Sequence, residues 1–184
     1  MKKISLVILA LSLLSSCAAL KSFQKPSQLD SLDRSTKFDW KRFFNGDVEG
    51  FAVIQDGSGK IIETETFKIN GKWDDNKGVI QQNFTYGSGD KDSRTWLITL
   101  ENDGTFTAIG HDITAPAQGK QQGNAMQMNY TLLLGGKDKQ KVKVTFEDKI
   151  YLVDDKSAIM ISESTAGFSD SKKSIISLKK LGKD

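Results

Sequence analysis

The chain has 184 residues, a formal charge of +3 and a single cysteine, which excludes an intrachain disulfide framework. Only Arg34, Arg42 and Arg94 of its 26 basic residues are arginine, and the lysines are scattered among 23 acids. With no basic stripe interleaved with aromatics, a nucleic-acid surface is not expected.

The N-terminus follows an export plan. Lys2 and Lys3 give a positive start, and Ile4 to Leu14 form an apolar run of eleven residues broken only by Ser5, Ala10 and Ser12. That run is well short of the ~18 to 20 residues that span a bilayer, so residues 1–16 are expected to be a cleaved signal peptide. Leu14-Ser15-Ser16-Cys17 has the form of a lipobox. There the cysteine thiol takes diacylglycerol, cleavage precedes the cysteine, and the new amine is acylated. The alternatives are an ordinary secretory signal with a chance cysteine, or a buried core cysteine. Cleavage would leave 168 residues, a length typical of one domain, with 24 basic residues against 23 acidic ones. Two or more acyl chains hold a protein stably at a membrane. Ala18 and Ala19 follow the cysteine, with no aspartate of the kind read as inner-membrane retention. The expected location is the bacterial cell envelope, lipid-anchored at the outer membrane and facing the periplasm.

Residues 17–37 are polar and mixed in charge, contain Pro26, and show no sustained period, as a tether would. The folded domain is expected over 38–184. It opens on the aromatic stretch Phe38-Asp39-Trp40-Lys41-Arg42-Phe43-Phe44, closed by Asn45-Gly46, which predicts a short helical turn plugging one end of the fold. From Val48 onward the pattern is strands at 48–55, 61–70, 78–86, 93–101, 104–112, 116–122, 126–134, 141–148, 149–153, 158–165 and 173–180. Turn signals separate them, among them Asp56-Gly57-Ser58-Gly59, Asn102-Asp103-Gly104 and Gly135-Gly136-Lys137-Asp138. No segment carries an amphipathic helical period over 11 or more residues. Pro26 and Pro116 lie outside strand interiors or at a strand start. Consecutive short hairpins favour an all-β, antiparallel up-and-down barrel of about 8 to 10 strands, because closure removes exposed edges.

Neighbours along a strand alternate faces. That rule puts Arg94, Trp96, Ile98 and Leu100 on one face, with Phe106, Ala108, Gly110 and Asp112 in the next strand. Asn124, Met126, Met128, Tyr130, Leu132 and Leu134 follow, then Val142, Val144, Phe146 and Asp148. These faces are apolar apart from Arg94, Asp112, Asn124 and Asp148 at strand ends, which are expected to line the mouth of a cavity.

Across about 43–180 the chain resembles a family of bacterial envelope lipoproteins known as domain of unknown function 3833. The resemblance is carried by Phe43-Phe44-Asn45-Gly46, Gly50-Phe51, Gln55-Asp56-Gly57-Ser58-Gly59-Lys60, Gly71-Lys72-Trp73-Asp74 and Phe84-Thr85-Tyr86. It continues through Arg94-Thr95-Trp96, Asp103-Gly104, Asp112, Ala117-Gln118-Gly119, Gly123-Asn124-Ala125, Tyr130, Phe146-Glu147-Asp148, Tyr151-Leu152 and Asp154-Asp155. The C-terminal third departs most: Glu147-Asp148-Lys149 stands where the family tends to carry an acid pair and a tryptophan. The family is similar in strand plan to the calycins, and Gly71-Lys72-Trp73 looks like their Gly-x-Trp. The resemblance implies a lipocalin-like barrel and no established activity.

No catalytic or cofactor constellation stands out. His111 is the only histidine and lies, by parity, on the face opposite its neighbour Asp112, which disfavours a catalytic pair. With one cysteine besides, a zinc site would need mostly carboxylates, and Asp74-x-Asn76-x-Gly78 lacks the remaining ligands of a calcium loop. Arg94 either stacks on Trp73 or pairs with Asp112, and either meets a ligand head group or closes the barrel end. Gly119 and Gly123 suit close strand crossing or a bulge. The leading expectation is therefore a membrane-tethered binding module for a small apolar or lipid-like ligand, lined by Trp73, Arg94, Trp96, Asp112, Asn124 and Tyr130. A solid barrel acting in envelope assembly is the second reading, and an enzyme on lipid or isoprenoid substrates the third. Neither a metal nor a cofactor is expected, and the oligomeric state is open.

Overall fold

The structure is a computed structural model that describes residues 37–135, 141–167 and 170–182. The expected signal segment, Cys17, residues 17–36 and, of the expected turn Gly135-Gly136-Lys137-Asp138, all but Gly135 lie outside them.

Alternating side chains and turn residues build one closed antiparallel sheet. A short helix, α1 (Trp40–Phe44), precedes ten strands: β1 (Gly46–Asp56), β2 (Ile61–Asp74), β3 (Lys77–Tyr86), β4 (Lys91–Leu100), β5 (Thr105–Ile109), β6 (Ala117–Gln122), β7 (Ala125–Gly135), β8 (Lys141–Leu152), β9 (Ser157–Ala166) and β10 (Asp170–Lys180). Each strand pairs with its sequence neighbours, and β1 pairs with β10 from Val48↔Lys180 to Asp56↔Lys172. The sheet is therefore an up-and-down barrel, as the hairpin pattern implied. The break expected between 148 and 149 is absent. Glu147 points outward and accepts from Gln127 Nε2 (2.9 Å) and Lys149 Nζ (2.8 Å), while Asp148 points inward. The charged triplet is alternation within one strand and not a turn.

The buried side chains are mostly apolar: on β2, Phe67 and Ile69 are buried whereas Lys68 and Lys72 are not, although Ile61 and Ile62 at the start of the strand are exposed. This is the reverse of a porin-type barrel, which is apolar outside and polar within. Among the described residues, every buried hydrophobic side chain lies from Phe38 to Leu178, within α1 and the closed sheet or next to them.

Helix α1 plugs the end of the barrel where β1 begins. Asp39 caps it, accepting from Lys41 N (2.8 Å) and Arg42 N (3.2 Å). Lys180, at the end of β10, donates through Nζ to the carbonyls of Arg42, Phe43 and Asn45, meeting carbonyl oxygens left without helical partners. Trp40, Phe43 and Phe44 are buried, and Trp40 packs against Phe44 and edge-on to Phe106. Gly71 makes this seat possible, since a Cβ there would lie 1.6 Å from the Phe44 carbonyl oxygen. At Gly119 a Cβ would enter the Phe106 ring, at 2.0 Å from Cζ. Close packing therefore explains Gly119, and a left-handed turn (φ +56°) explains Gly123. Gly71→Ala should displace the plug and lower unfolding free energy by about 2 kcal/mol or more. Gly135→Ala, with no atom within 4 Å of the added carbon, should change it by less than ~0.5 kcal/mol. Denaturant melts of the two variants check the contrast.

Candidate functional site

The barrel is hollow. A cavity of about 620 Å³ runs from Trp40 and Phe44 at the plugged end to Ile54, Tyr86, Asp170 and Lys172 at the other. This lies within the ~300 to 1,000 Å³ typical of small-molecule sites. Its walls are mostly apolar or aromatic, contributed by β1–β4 and β7–β10.

On one wall three rings form a continuous shelf. Trp96 meets Tyr130 edge-on with centroids 5.1 Å apart, and Tyr130 stacks on Phe146 at 5.0 Å with an interplanar angle of 4°. Trp96 is fixed by its indole N–H, which donates to Gln82 Oε1 (2.9 Å). The Tyr130 hydroxyl donates to Asp148 Oδ2 (2.8 Å).

Asp148 is the unusual group. It is 2% exposed, lines the cavity, and its second oxygen, Oδ1, has no hydrogen-bond partner. Burial raises its pKa from 3.8 to about 6, against the opposing pull of Ser162, Tyr130 and Arg94; Glu147 adds to the rise. Burial likewise pushes the Tyr130 hydroxyl well above its ordinary range, with Asp148 adding to it, so the phenol remains a donor.

Arg94 enters the cavity between Phe84 and Trp96, its guanidinium carbon 5.8 and 5.7 Å from their centroids. It grips Asp112 in a fork: Nε to Oδ1 (3.2 Å) and Oδ2 (3.0 Å), and Nη2 to Oδ2 (2.7 Å). Both side chains are about 15% exposed. Asp112 sits in the segment between β5 and β6, which is stitched to β7 by the Ile113↔Leu132 bridge and the bond from Leu133 N to the Asp112 carbonyl (2.8 Å). The short β5 pairs with β4 only from Leu97 to Leu100. Towards the open end the Asp112 segment therefore fills the wall between β4 and β7, and the ion pair braces it.

The sequence-derived set divides accordingly. Arg94, Trp96 and Tyr130 line the cavity, and Asp112 is tied to them through Arg94. Asn124 does not lie at the mouth. It is buried at the plugged end, where its Nδ2 donates to the Leu152 carbonyl (3.1 Å) and its own carbonyl accepts from Leu152 N. Trp73 is also at that end, packed on Trp40 (6.4 Å) and over Gly78, so Arg94 does not stack on it. Side-chain parity gives the face a residue takes but not its height along the barrel. His111 is exposed, apart from the cavity. Among the described residues no group of three or more metal-ligating side chains occurs. Asp148, expected at a strand end on the mouth and left out of the ligand-lining set, lies within β8, paired with Met128 and Ser162, and lines the cavity. Its inward parity was legible, but its isolation depends on which partners the folded barrel withholds.

The chain belongs to the family described as protein of unknown function DUF3833, whose model matches residues 15–167. No curated protein matches it. Among solved structures it is similar to an S-type phycobiliprotein lyase of Guillardia theta, with 9% identity, a TM-score of 0.58, and coverage of 79% of this chain and 92% of that one. It is also similar to a protein of unknown function from the DUF3598 family of Nostoc punctiforme, with 11% identity, a TM-score of 0.54 and coverage of 79% of this chain. This chain spans half the length of the Nostoc protein. These likenesses establish a lipocalin-like barrel as the fold.

Because the folded-state pKa of Asp148 is raised, its protonated form favours folding. Stability from this group is fully present below pH ~4 and is lost as pH rises through about 6. Asp148→Asn, neutral throughout, should be more stable than the unsubstituted protein at pH 7.5 by ~1 to 3 kcal/mol. The difference should close below pH ~4. Chemical melts across that range test it, and a gap independent of pH would contradict the assignment.

Proposed function

We propose that this protein is a binding module that holds a small apolar or lipid-like molecule inside its barrel, tethered to the bacterial envelope through lipid on Cys17. The observation that carries the reading is the hollow core: ten closed strands leave about 620 Å³ lined chiefly by apolar and aromatic side chains. The structural similarity to a phycobiliprotein lyase supports a barrel of this plan. A solid barrel in envelope assembly accords less well with that space. For an enzymatic reading, the described residues offer no histidine at the cavity and no group of three metal-ligating side chains. Arg94, Trp96 and Tyr130 are the residues proposed to meet the ligand.

The direct test is native mass spectrometry of the purified 37–184 domain, mixed with a fluorescent apolar probe or carrying a co-purified molecule. A 1:1 complex weakened by Trp96→Ala is the expected outcome. A domain that refuses every apolar probe would contradict the reading. The anchor has its own test. Cys17→Ser should abolish acyl labelling in cells and leave uncleaved precursor, and normal lipid labelling of that variant would overturn the lipobox assignment.

A further inference from the structure

The cavity contains an acceptor without a donor, and that narrows what can fill it. A carboxylate buried in an apolar wall is costly unless its oxygens are hydrogen-bonded. Tyr130 donates to Asp148 Oδ2 and the Ser162 side chain also hydrogen-bonds the carboxylate, yet Oδ1 has no partner, although the residue is 2% exposed and faces the cavity. Among the described residues no cation bonds to Oδ1: Arg94 acts on Asp148 only through its charge and directs Nε and Nη2 to Asp112. The other charges point the same way. Among the described residues lining the cavity, four are acids (Glu65, Asp92, Asp148 and Asp170) and two are bases (Arg94 and Lys172), of which Arg94 is already neutralised. A carboxylate ligand would therefore meet an excess of negative charge, whereas a hydroxyl or ammonium would supply the missing bond.

Resting on the reading of the barrel as a binding module, we propose that its ligand is an apolar molecule carrying a hydrogen-bond donor, a hydroxyl or an amine, which docks on Asp148 Oδ1 with its hydrocarbon body along the Trp96-Tyr130-Phe146 shelf. Neutral and cationic amphiphiles are admitted; anionic ones of the same length are rejected. Asp148 thus sets the specificity of the site, while the apolar walls supply most of the affinity. The pKa of this carboxyl, raised by burial to about 6, accords with an acceptor that lacks a full set of donors.

Four probes with one decyl chain separate the terms: decan-1-ol, decylamine, decanoate and decyl methyl ether, titrated calorimetrically into the 37–184 domain at pH 7.5. The alcohol and the amine should bind about tenfold or more tighter than the ether, which lacks a donor, and tighter still than decanoate. Asp148→Leu should erase the advantage of the alcohol and the amine while leaving ether affinity within about twofold. Should Asp148→Leu fail to fold, Asp148→Asn replaces it: the amine should lose about tenfold and the alcohol should be largely retained. Equal binding of alcohol and ether, preferential binding of decanoate, or a donor preference that survives the Asp148 substitution would overturn the proposal and leave the binding module intact. Failure of all four probes would overturn both.

Discussion

The pairing of β1 with β10 is the constraint on which the remaining features depend. Nine consecutive residues of β1, from Val48 to Asp56, are in register with β10, and that ladder turns a meander into a cylinder. Barrel width grows with strand number, and about eight strands give an interior that side chains can just fill. Ten give more room than Phe, Ile and Met can occupy, so space remains along the axis. Closure also leaves two open ends. One is stoppered by α1, whose five residues could not persist alone; the plug is held by Gly71 beneath it, by Lys180 on its terminal carbonyls, and by the aromatic packing of Trp40, Phe43 and Phe44. Both closing strands therefore contribute to the seat: β1 follows directly from the helix and β10 supplies its capping lysine.

Two of the inward acids, Asp112 and Asp148, show how context divides one side-chain type between two tasks. Asp112 faces a guanidinium in a fork, the geometry in which a carboxylate is held most firmly. Its role is to brace the wall where β5 is too short to continue the ladder. Removing one member of such a pair leaves the other buried without a counter-ion, a larger loss than the pair's net contribution. Asp148 lies in the same cavity wall system without a cation of its own, and burial outweighs the pull of Tyr130, Ser162 and Arg94. Arg94 thus acts on both acids, directly on Asp112 and at a distance on Asp148. The result is one fixed charge pair and one poised acceptor.

Much of this was legible in the sequence because strand parity is a local property. The inward sets containing Trp96, Met128, Tyr130 and Phe146 follow from alternation alone, and Asn102-Asp103-Gly104 and Asp56-Gly57-Ser58-Gly59 mark their turns by composition. Two kinds of information were not local. Height along the barrel depends on register between strands, so Asn124 read as a mouth residue and Trp73 as a ligand-lining partner for Arg94, although both belong to the plugged end. Isolation of a polar group depends on what every neighbouring strand withholds, so Asp148 looked like any polar residue at a strand end. The Glu147-Asp148-Lys149 triplet compounded this, because three charges in a row imitate a turn when only the middle one faces inward.

The plug also fixes where the chain enters the barrel relative to the cavity opening. Phe38 N donates to the Gly123 carbonyl at the α1 end (2.7 Å), so the N-terminal residues join there, whereas Tyr86, Asp170 and Lys172 mark the opposite rim. Under the proposed anchoring at Cys17, a short stiff connection would hold the opening away from the bilayer. Twenty residues of chain span at most ~70 Å, which bounds how far the proposed anchor can lie from the barrel. On the binding-module reading, a ligand drawn from the membrane and one delivered from the aqueous side would both enter by the same mouth. Selection between them falls to the cavity itself, where the charge excess around Asp148 acts on the molecule and not on the direction of its approach.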